Sequence, residues 1–225
     1  RVNVIIPPLA IDGPILSIRR FSATPLQMSN LLGFKSLSEE MALFLAAAAE
    51  AKVNIVISGG TGSGKTTLLN ILSGYVPTNE RIVTIEDAAE LQLQQPHVVR
   101  LETRPANIEG RGEINQRALV RNALRMRPDR ILLQELRDGT AFFYLRNVNT
   151  GHPGSISTIH ADSPVLALER LALMVMRVGS RQTRSDVLEY AARTIDVIVQ
   201  VGRRCGQRGV LEVFLPHRSP CCASI

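Results

Sequence analysis

Tryptophan is absent from the 225-residue chain, aromatic residues make up 4% of it, and cysteine occurs three times. A nucleic-acid channel built on base stacking needs more rings than that. The cysteines are Cys205, Cys221 and Cys222. An odd number with two adjacent is neither a disulfide framework nor a zinc spacing, and it suits a reducing cytosol. The longest apolar run, Met41 to Ala49, falls well short of the ~18 residues that would span a bilayer. The first residues carry no secretory h-region. What remains is the composition of a globular domain, 45% hydrophobic and 20% charged, with a net charge of +6. That charge permits phosphate ligands, nucleic acid or an anionic membrane face without choosing among them. The chain starts at Arg1 rather than Met, as expected of a partial chain whose start cuts through a domain.

Residues 1–22 read as a small β element, Val2 to Ile6 and Ile15 to Ile18 around an Asp12-Gly13-Pro14 turn. Two strands alone are marginal, so they belong to a larger unit. The stretch 25–35 reads as a linker. Ser36-Leu37-Ser38-Glu39 then has capping-box spacing before an Ala-rich helix. Apolar strands alternate with amphipathic helices from there to Val201. The strands are expected at 53–58, 81–85, 98–101, 130–134, 155–159 and 197–201, and the helices at 65–73, 116–126, 140–149, 164–176 and 185–194. This alternation implies an α/β domain over 36–215 with a mainly parallel, two-sided sheet. Residues 216–225 show no periodicity and read as a loose tail.

Gly59-Gly60-Thr61-Gly62-Ser63-Gly64-Lys65-Thr66-Thr67 satisfies the pattern G-x-x-x-x-G-K-[ST]. It lies between an expected strand and an expected helix, where a phosphate-binding loop must lie. Glycines let backbone N–H groups converge on phosphate oxygens, and the helix N-terminus adds a favourable dipole. Lys65 is suited to bridge β- and γ-phosphates and Thr66 to ligate Mg²⁺. Glu135 follows the expected strand Arg130 to Gln134, so its carboxylate emerges beside the phosphates, to hold Mg²⁺ through water or to activate the attacking water. Glu86 and Asp87 end another strand and offer a second acidic site. His152 and His160 flank a strand and are candidates for sensing which nucleotide is bound. They stand too far apart for one metal. Arg117, Arg121 and Arg125 recur on one helix face, with Arg127 and Arg130 after them. Such a row wants an acidic partner, a neighbouring subunit or phosphate. Arg19 and Arg20 could reach a nucleotide at a domain or subunit boundary.

No guanine-reading N/T-K-x-D follows the loop, there is no kinase HRD or DFG, and Gly62-x-Gly64 is not completed as a dinucleotide fingerprint. Four motifs in order remain: Gly59 to Thr67; Thr84-Ile85-Glu86-Asp87-Ala88-Ala89-Glu90-Leu91; Glu135-Leu136-Arg137; and Thr150-Gly151-His152-Pro153-Gly154-Ser155 with Thr158-Ile159-His160-Ala161. Together they resemble the secretion ATPase superfamily, the hexameric motors of type II and type IV secretion and of type IV pili. The nearest branches are the CpaF/TadA-like pilus ATPases and the type IV secretion and conjugation ATPases.

The resemblance implies a RecA-like P-loop ATPase fold, with residues 1–24 as the end of an N-terminal domain. It implies a Walker A box at Gly59–Thr67, an Asp box at Glu86 and Asp87, a Walker B box ending in Glu135 and a His box from Gly151 to His160. Ser17-Ile18-Arg19-Arg20 resembles the family's S-I-R-[KR] stretch, and Arg104 or Arg111 could also complete the site. Gln134 stands where the family often has glycine. ATP and Mg²⁺ are the implied cofactors. The implied partners are further copies in a hexamer and inner-membrane platform proteins, at the inner face of a bacterial membrane, with no nucleic acid as direct ligand. Two other classes stay open at this point, a nucleic-acid translocase and a nucleotide-binding scaffold without turnover.

Overall fold

The computed structural model describes residues 2–20, 24–137, 139–149, 151–178 and 182–218, with residue 218 described by its backbone alone. Asp138, Thr150, Cys221, Cys222 and the tail past 218 lie outside these residues. Strands β1 (Val2–Ile5) and β2 (Ile15–Ile18) form a separate antiparallel pair, with Val2 opposite Ile18 and Ile5 opposite Ile15. Their apolar side chains, Val2, Val4, Ile15, Leu16 and Ile18 among them, are exposed.

The stretch read as linker contains a short helix, α1 (Met28–Gly33). Its start is marked by a Gln27 N–H donated to Asn30 Oδ1 at 2.8 Å, a polar pairing outside the usual Ser/Thr cap signals. Helix α2 (Glu39–Glu50) is capped by Ser38, whose Oγ accepts from the Met41 N–H at 3.3 Å. The expected cap at Ser36 is therefore displaced by two residues. The Ser36 carbonyl is used elsewhere, accepting from the Val210 N–H at 2.7 Å.

The alternation then follows as β3 (Ile55–Ser58), α3 (Lys65–Ser73), β4 (Ile82–Glu86), β5 (Val98–Glu102), α4 (Gln116–Ala123), β6 (Arg130–Leu133), α5 (Thr140–Asn149), β7 (Ile156–Ile159), α6 (Pro164–Met176), α7 (Arg184–Thr194), β8 (Val197–Arg204) and β9 (Gln207–Phe214). Helix α4 stops short of the expected Met126. A 3₁₀ turn over Leu124–Met126 follows it, and Arg127 sits at φ +51°, because Pro128 disfavours a helical conformation in the residue before it. Strand β9 is an addition to the sequence reading. It returns antiparallel to β8 through the two-residue turn Cys205-Gly206, both at positive φ, the geometry that suits a tight hairpin.

The sheet order is β5-β4-β6-β7-β3-β8-β9, and every pairing is parallel except β8 with β9. The fold is the mainly parallel α/β sheet of a RecA-like domain. Both faces are covered. Ile55 and Ile57 of β3 pack with α2 and α3, while Val56 packs with the helices of the opposite face, α4 to α7. This period-2 alternation inside a wholly apolar strand is what a two-sided sheet requires.

Arg130 departs from its expected place in the basic row. It is 0% exposed, with Nε 2.6 Å and Nη2 3.1 Å from the Glu80 carboxylate. Its remaining donors go to the carbonyls of Ala49, Glu50 and Gly154. Gly154, at φ +81°, is a glycine of necessity, since a Cβ there would lie 3.0 Å from both Arg130 Nη1 and the Lys52 Cα. Removing one side of such a pair leaves a buried charge uncompensated. Arg130→Met is expected to lose about 3–5 kcal/mol of unfolding free energy. Arg130→Met with Glu80→Leu should recover most of that loss, as read by urea unfolding of both variants.

Candidate functional site

A parallel sheet places the carboxyl ends of its strands on one edge. Here β3, β4, β6 and β7 deliver the segments beginning at Gly59, Asp87, Gln134 and His160 to the same cleft. The cleft encloses about 430 Å³ and is lined among others by Thr61, Gly62, Lys65, Thr66, Asp87, Glu90, Gln134, Glu135, Thr158 and His160. Residues more than 90 apart in sequence thus face one another because of topology alone.

The loop after β3 is shaped by close approach. A Cβ on Gly59 would lie 2.3 Å from the Val201 carbonyl oxygen, so no other residue fits between β3 and β8. Gly62 and Gly64 take φ +68° and +106°, conformations open to glycine at little cost. Ser63 Oγ donates to the Gly60 carbonyl at 2.8 Å and closes the loop on itself. Gly64 begins α3 without a side-chain cap, so the first N–H groups of the helix face the cleft as an anion-binding end. Lys65 Nζ donates to the carbonyls of Gly59 and Gly60, each at 2.8 Å, and lies 3.4 Å from His160 Nδ1. Burial lowers the pKa of this ammonium, and Glu135 partly restores it.

His160 Nε2 lies 3.3 Å from Glu135 Oε1, so the imidazole stands between the loop lysine and the carboxylate. Burial, then Lys65, lowers the imidazole pKa, and Glu135 opposes them. Glu135 Oε2 accepts from Arg137 Nη2 at 2.8 Å, and Arg137 Nη1 reaches Asp87 Oδ2 at 3.0 Å. Burial alone would raise the Glu135 carboxyl. The Arg137 hydrogen bond and the charges of Arg137, His160 and Lys65 outweigh it and hold the pKa below the usual carboxylate value.

Several expected residues sit elsewhere. Glu86 is buried, and its Oε2 accepts from the N–H groups of Glu90 and Leu91 at 2.7 and 2.8 Å. Oε1 accepts from Thr84 Oγ1 at 3.2 Å. Burial raises its pKa against those hydrogen bonds. Glu86 therefore shapes the segment after β4, and the carboxylates of that segment that line the cleft are Asp87 and Glu90. His152 lies at the other end of β7, donating from Nδ1 to the Pro128 carbonyl at 3.2 Å, and does not line the cleft. A sequence pattern cannot tell the two ends of a strand apart by function. Arg19 lines the cleft and lies 3.8 Å from Glu90, but Arg20 does not line it. Arg104 lines a neighbouring basic cavity of about 710 Å³ that shares Asp87 and Arg137 with the cleft; Arg111 lines neither. Arg117 stacks over the Phe143 ring at 4.6 Å.

Sequence reasoning also missed residues. An apolar hollow of about 170 Å³ adjoins the loop, walled by Leu26, Leu31 and Phe34 from the supposed linker and by Val201 and Val210 from the β8–β9 hairpin. Arg208 of that hairpin lines both the hollow and the cleft. The available signal was Cys205-Gly206 between two valine-rich runs.

Thr66, Glu135 and Asp87 offer hard oxygen donors. Among the described residues no group of three His, Cys, Asp or Glu could hold an ion. The donor set fits Mg²⁺ that keeps water and phosphate ligands, as it usually does.

The profile of the family described as "Type II/IV secretion system protein" matches residues 1–214. The VirB11 type IV secretion system protein of Bartonella quintana is 45% identical over 179 residues, 79% of this chain and 50% of that protein. The PtlH type IV secretion system protein of Bordetella pertussis is 46% identical over 179 residues, 76% of this chain and 52% of that protein. The crystal structure of the Brucella suis VirB11 ATPase in complex with sulphate superposes with a TM-score of 0.72 at 31% identity, covering 95% of this chain and 76% of that one. The chain spans about half the length of the curated relatives it matches.

The lowered His160 pKa sets a pH expectation. The ring stays neutral down to a pH below the ordinary histidine value of about 6.5. On further acidification it gains a proton, adds charge beside Lys65 and pairs with Glu135. Binding of phosphate-bearing ligands in the cleft should therefore change on an acid limb below that value, and His160→Gln should remove it. A limb unchanged in His160→Gln, in pH profiles of the full-length protein, would assign the titration to another group.

Proposed function

The chain belongs to the type II/IV secretion system protein family, and from that membership and the cleft we propose that it is the ATP-binding and ATP-hydrolysing motor domain of a type IV secretion system. The observation that carries the reading is the strand–loop–helix at Gly59–Lys65, which faces Glu135 across His160. The triphosphate lies along the loop and the N-terminus of α3, and the adenine enters the apolar hollow beside Gly64 and Thr67. Lys65 exchanges the Gly59 and Gly60 carbonyls for β- and γ-phosphate oxygens. Its partial desolvation makes that exchange favourable once phosphate charge is present.

Mg²⁺, when bound with the nucleotide, supplies charge neutralisation on the phosphates, with the Thr66 hydroxyl and Glu135, directly or through water, on its coordination side. Glu135 orients the attacking water. Its lowered pKa makes it a weak base, so positioning outweighs proton abstraction. His160 links the Lys65 and Glu135 sides of the cleft, and so couples the γ-phosphate to conformation. Glu86 holds the 86–91 segment that presents Asp87 and Glu90. Arg19 adds charge from the preceding β pair.

Residues 1–24 are the end of a domain that precedes the motor, 25–35 the connection, 36–215 the motor and 216–225 a tail. The full protein acts as a ring of six copies, with hydrolysis driving rigid-body domain motion for export. It works at the inner face of the bacterial inner membrane, against membrane-embedded platform proteins. Among the described residues no helix is long and apolar enough to cross a membrane.

Mg²⁺-dependent ATP turnover of the full-length protein, measured against protein concentration, tests this. Turnover should rise with concentration. Lys65→Ala should lose ATP binding, whereas Glu135→Gln should bind ATP and lose turnover about a hundredfold or more. ATP binding with no phosphate release at any concentration would make the domain a nucleotide-binding scaffold. Turnover that depends on added DNA would make it a nucleic-acid translocase.

A further inference from the structure

Gln134 lies at the point where β6 leaves β4. The last paired residues of those strands are Ile85 and Leu133, and one more bond follows, from the Gln134 N–H to the Ile85 carbonyl at 3.0 Å. In a continued parallel ladder the next rung runs from the Asp87 N–H to the main-chain carbonyl of Gln134. That carbonyl is instead turned to β7, where it accepts from Thr158 Oγ1 at 2.6 Å. The missing rung is made by the side chain, with the Asp87 N–H donating to Gln134 Oε1 at 3.1 Å. Only the amide oxygen can accept there, so the orientation of the amide is fixed by its partner.

We propose that Gln134 is a positioning residue whose side-chain carbonyl splices the Asp87 segment onto the diverging end of β6, and so fixes Asp87 relative to Glu135. Both carboxylates are bridged by Arg137, at 3.0 Å from Asp87 and 2.8 Å from Glu135. Three further contacts hold the assembly from the sides. Asp87 Oδ1 accepts from Thr103 Oγ1 at 3.2 Å and from Gln116 Nε2 at 3.1 Å, and the Leu136 N–H donates to the Thr158 carbonyl at 2.8 Å. The side-chain partners all grip the carboxylate of Asp87; Gln134 grips its peptide. With glycine at 134 the side-chain acceptor for the Asp87 N–H would be lost, and the tie from the segment to Glu135 would run through the exposed Arg137 side chain.

The kinetic arm of the test rests on the ATPase reading, and the exchange arm does not. Gln134→Met keeps the size and loses the acceptor, whereas Gln134→Glu keeps an acceptor oxygen. In the full-length protein, Gln134→Met should lower kcat about three- to tenfold, the worth of one such hydrogen bond, with KM for ATP within about twofold. Gln134→Glu adds a negative charge to the cleft lining, so it is read by exchange alone. By hydrogen exchange, the Asp87 amide should exchange about three- to tenfold faster in Gln134→Met than in the wild type, and near the wild-type rate in Gln134→Glu. Equal protection of the Asp87 amide in Gln134→Met overturns the proposal. So does a kcat in Gln134→Met equal to that of the wild type. If the wild type shows no turnover, the ATPase reading fails, and the exchange of Asp87 still decides the role of Gln134.

Discussion

The guanidinium of Arg130, fully buried at the amino end of β6, joins four parts of the chain that are remote in sequence. It holds the Glu80 carboxylate ahead of β4, the carbonyls of Ala49 and Glu50 at the end of α2, and the Gly154 carbonyl ahead of β7. A buried ion pair of this kind is a poor source of net stability, because desolvating both charges costs about as much as their attraction returns. Its contribution is positional. Any sliding of β4 or β7 along β6 would break bonds that nothing in the interior could replace. The cleft sits at the opposite ends of these same strands, so the spacing of Asp87, Glu135 and His160 is inherited from this anchor.

At the cleft end the organising principle is a chain of neighbouring polar groups. Lys65, His160, Glu135, Arg137 and Asp87 follow one another at 3.4, 3.3, 2.8 and 3.0 Å. Cation and anion alternate along it, with His160, whose pKa burial lowers, standing between Lys65 and Glu135. Glu86 serves the same end from below the surface. It spends its carboxylate on two backbone N–H groups of the turn that presents Asp87 and Glu90. Carboxylates adjacent in sequence thus divide into one that builds the site and one that faces it.

Much of this was legible in residues. The strand at β3, the loop glycines and the helix at α3 follow from local pattern, and Pro164 and Gly74 bound their helices where expected. The failures have identifiable causes. Helix α1 is capped by Gln27 and Asn30 rather than by serine or threonine. Strand β9 alternates imperfectly, because its Gly209 must pass within 2.6 Å, measured from a Cβ built on it, of the Ser36 carbonyl. Arg130 reads as the end of a basic row that wants an acidic partner, a neighbouring subunit or phosphate, and a sequence window contains neither Glu80 nor the carbonyls that satisfy it.

The sequence by itself determined the chemistry available to this protein. Glycines at 62 and 64 take the positive φ of the loop at little cost, a lysine and a threonine open the following helix, and apolar runs end in acids and a histidine. Those are properties of backbone freedom, side-chain charge and periodicity, all local. Only the tertiary structure decided which of the acids faces the cleft, which histidine meets Lys65, and that Leu31, Phe34 and Arg208 join the site. Those choices depend on strand order, and strand order is fixed by burial and by contacts between residues scores of positions apart, which no local pattern encodes.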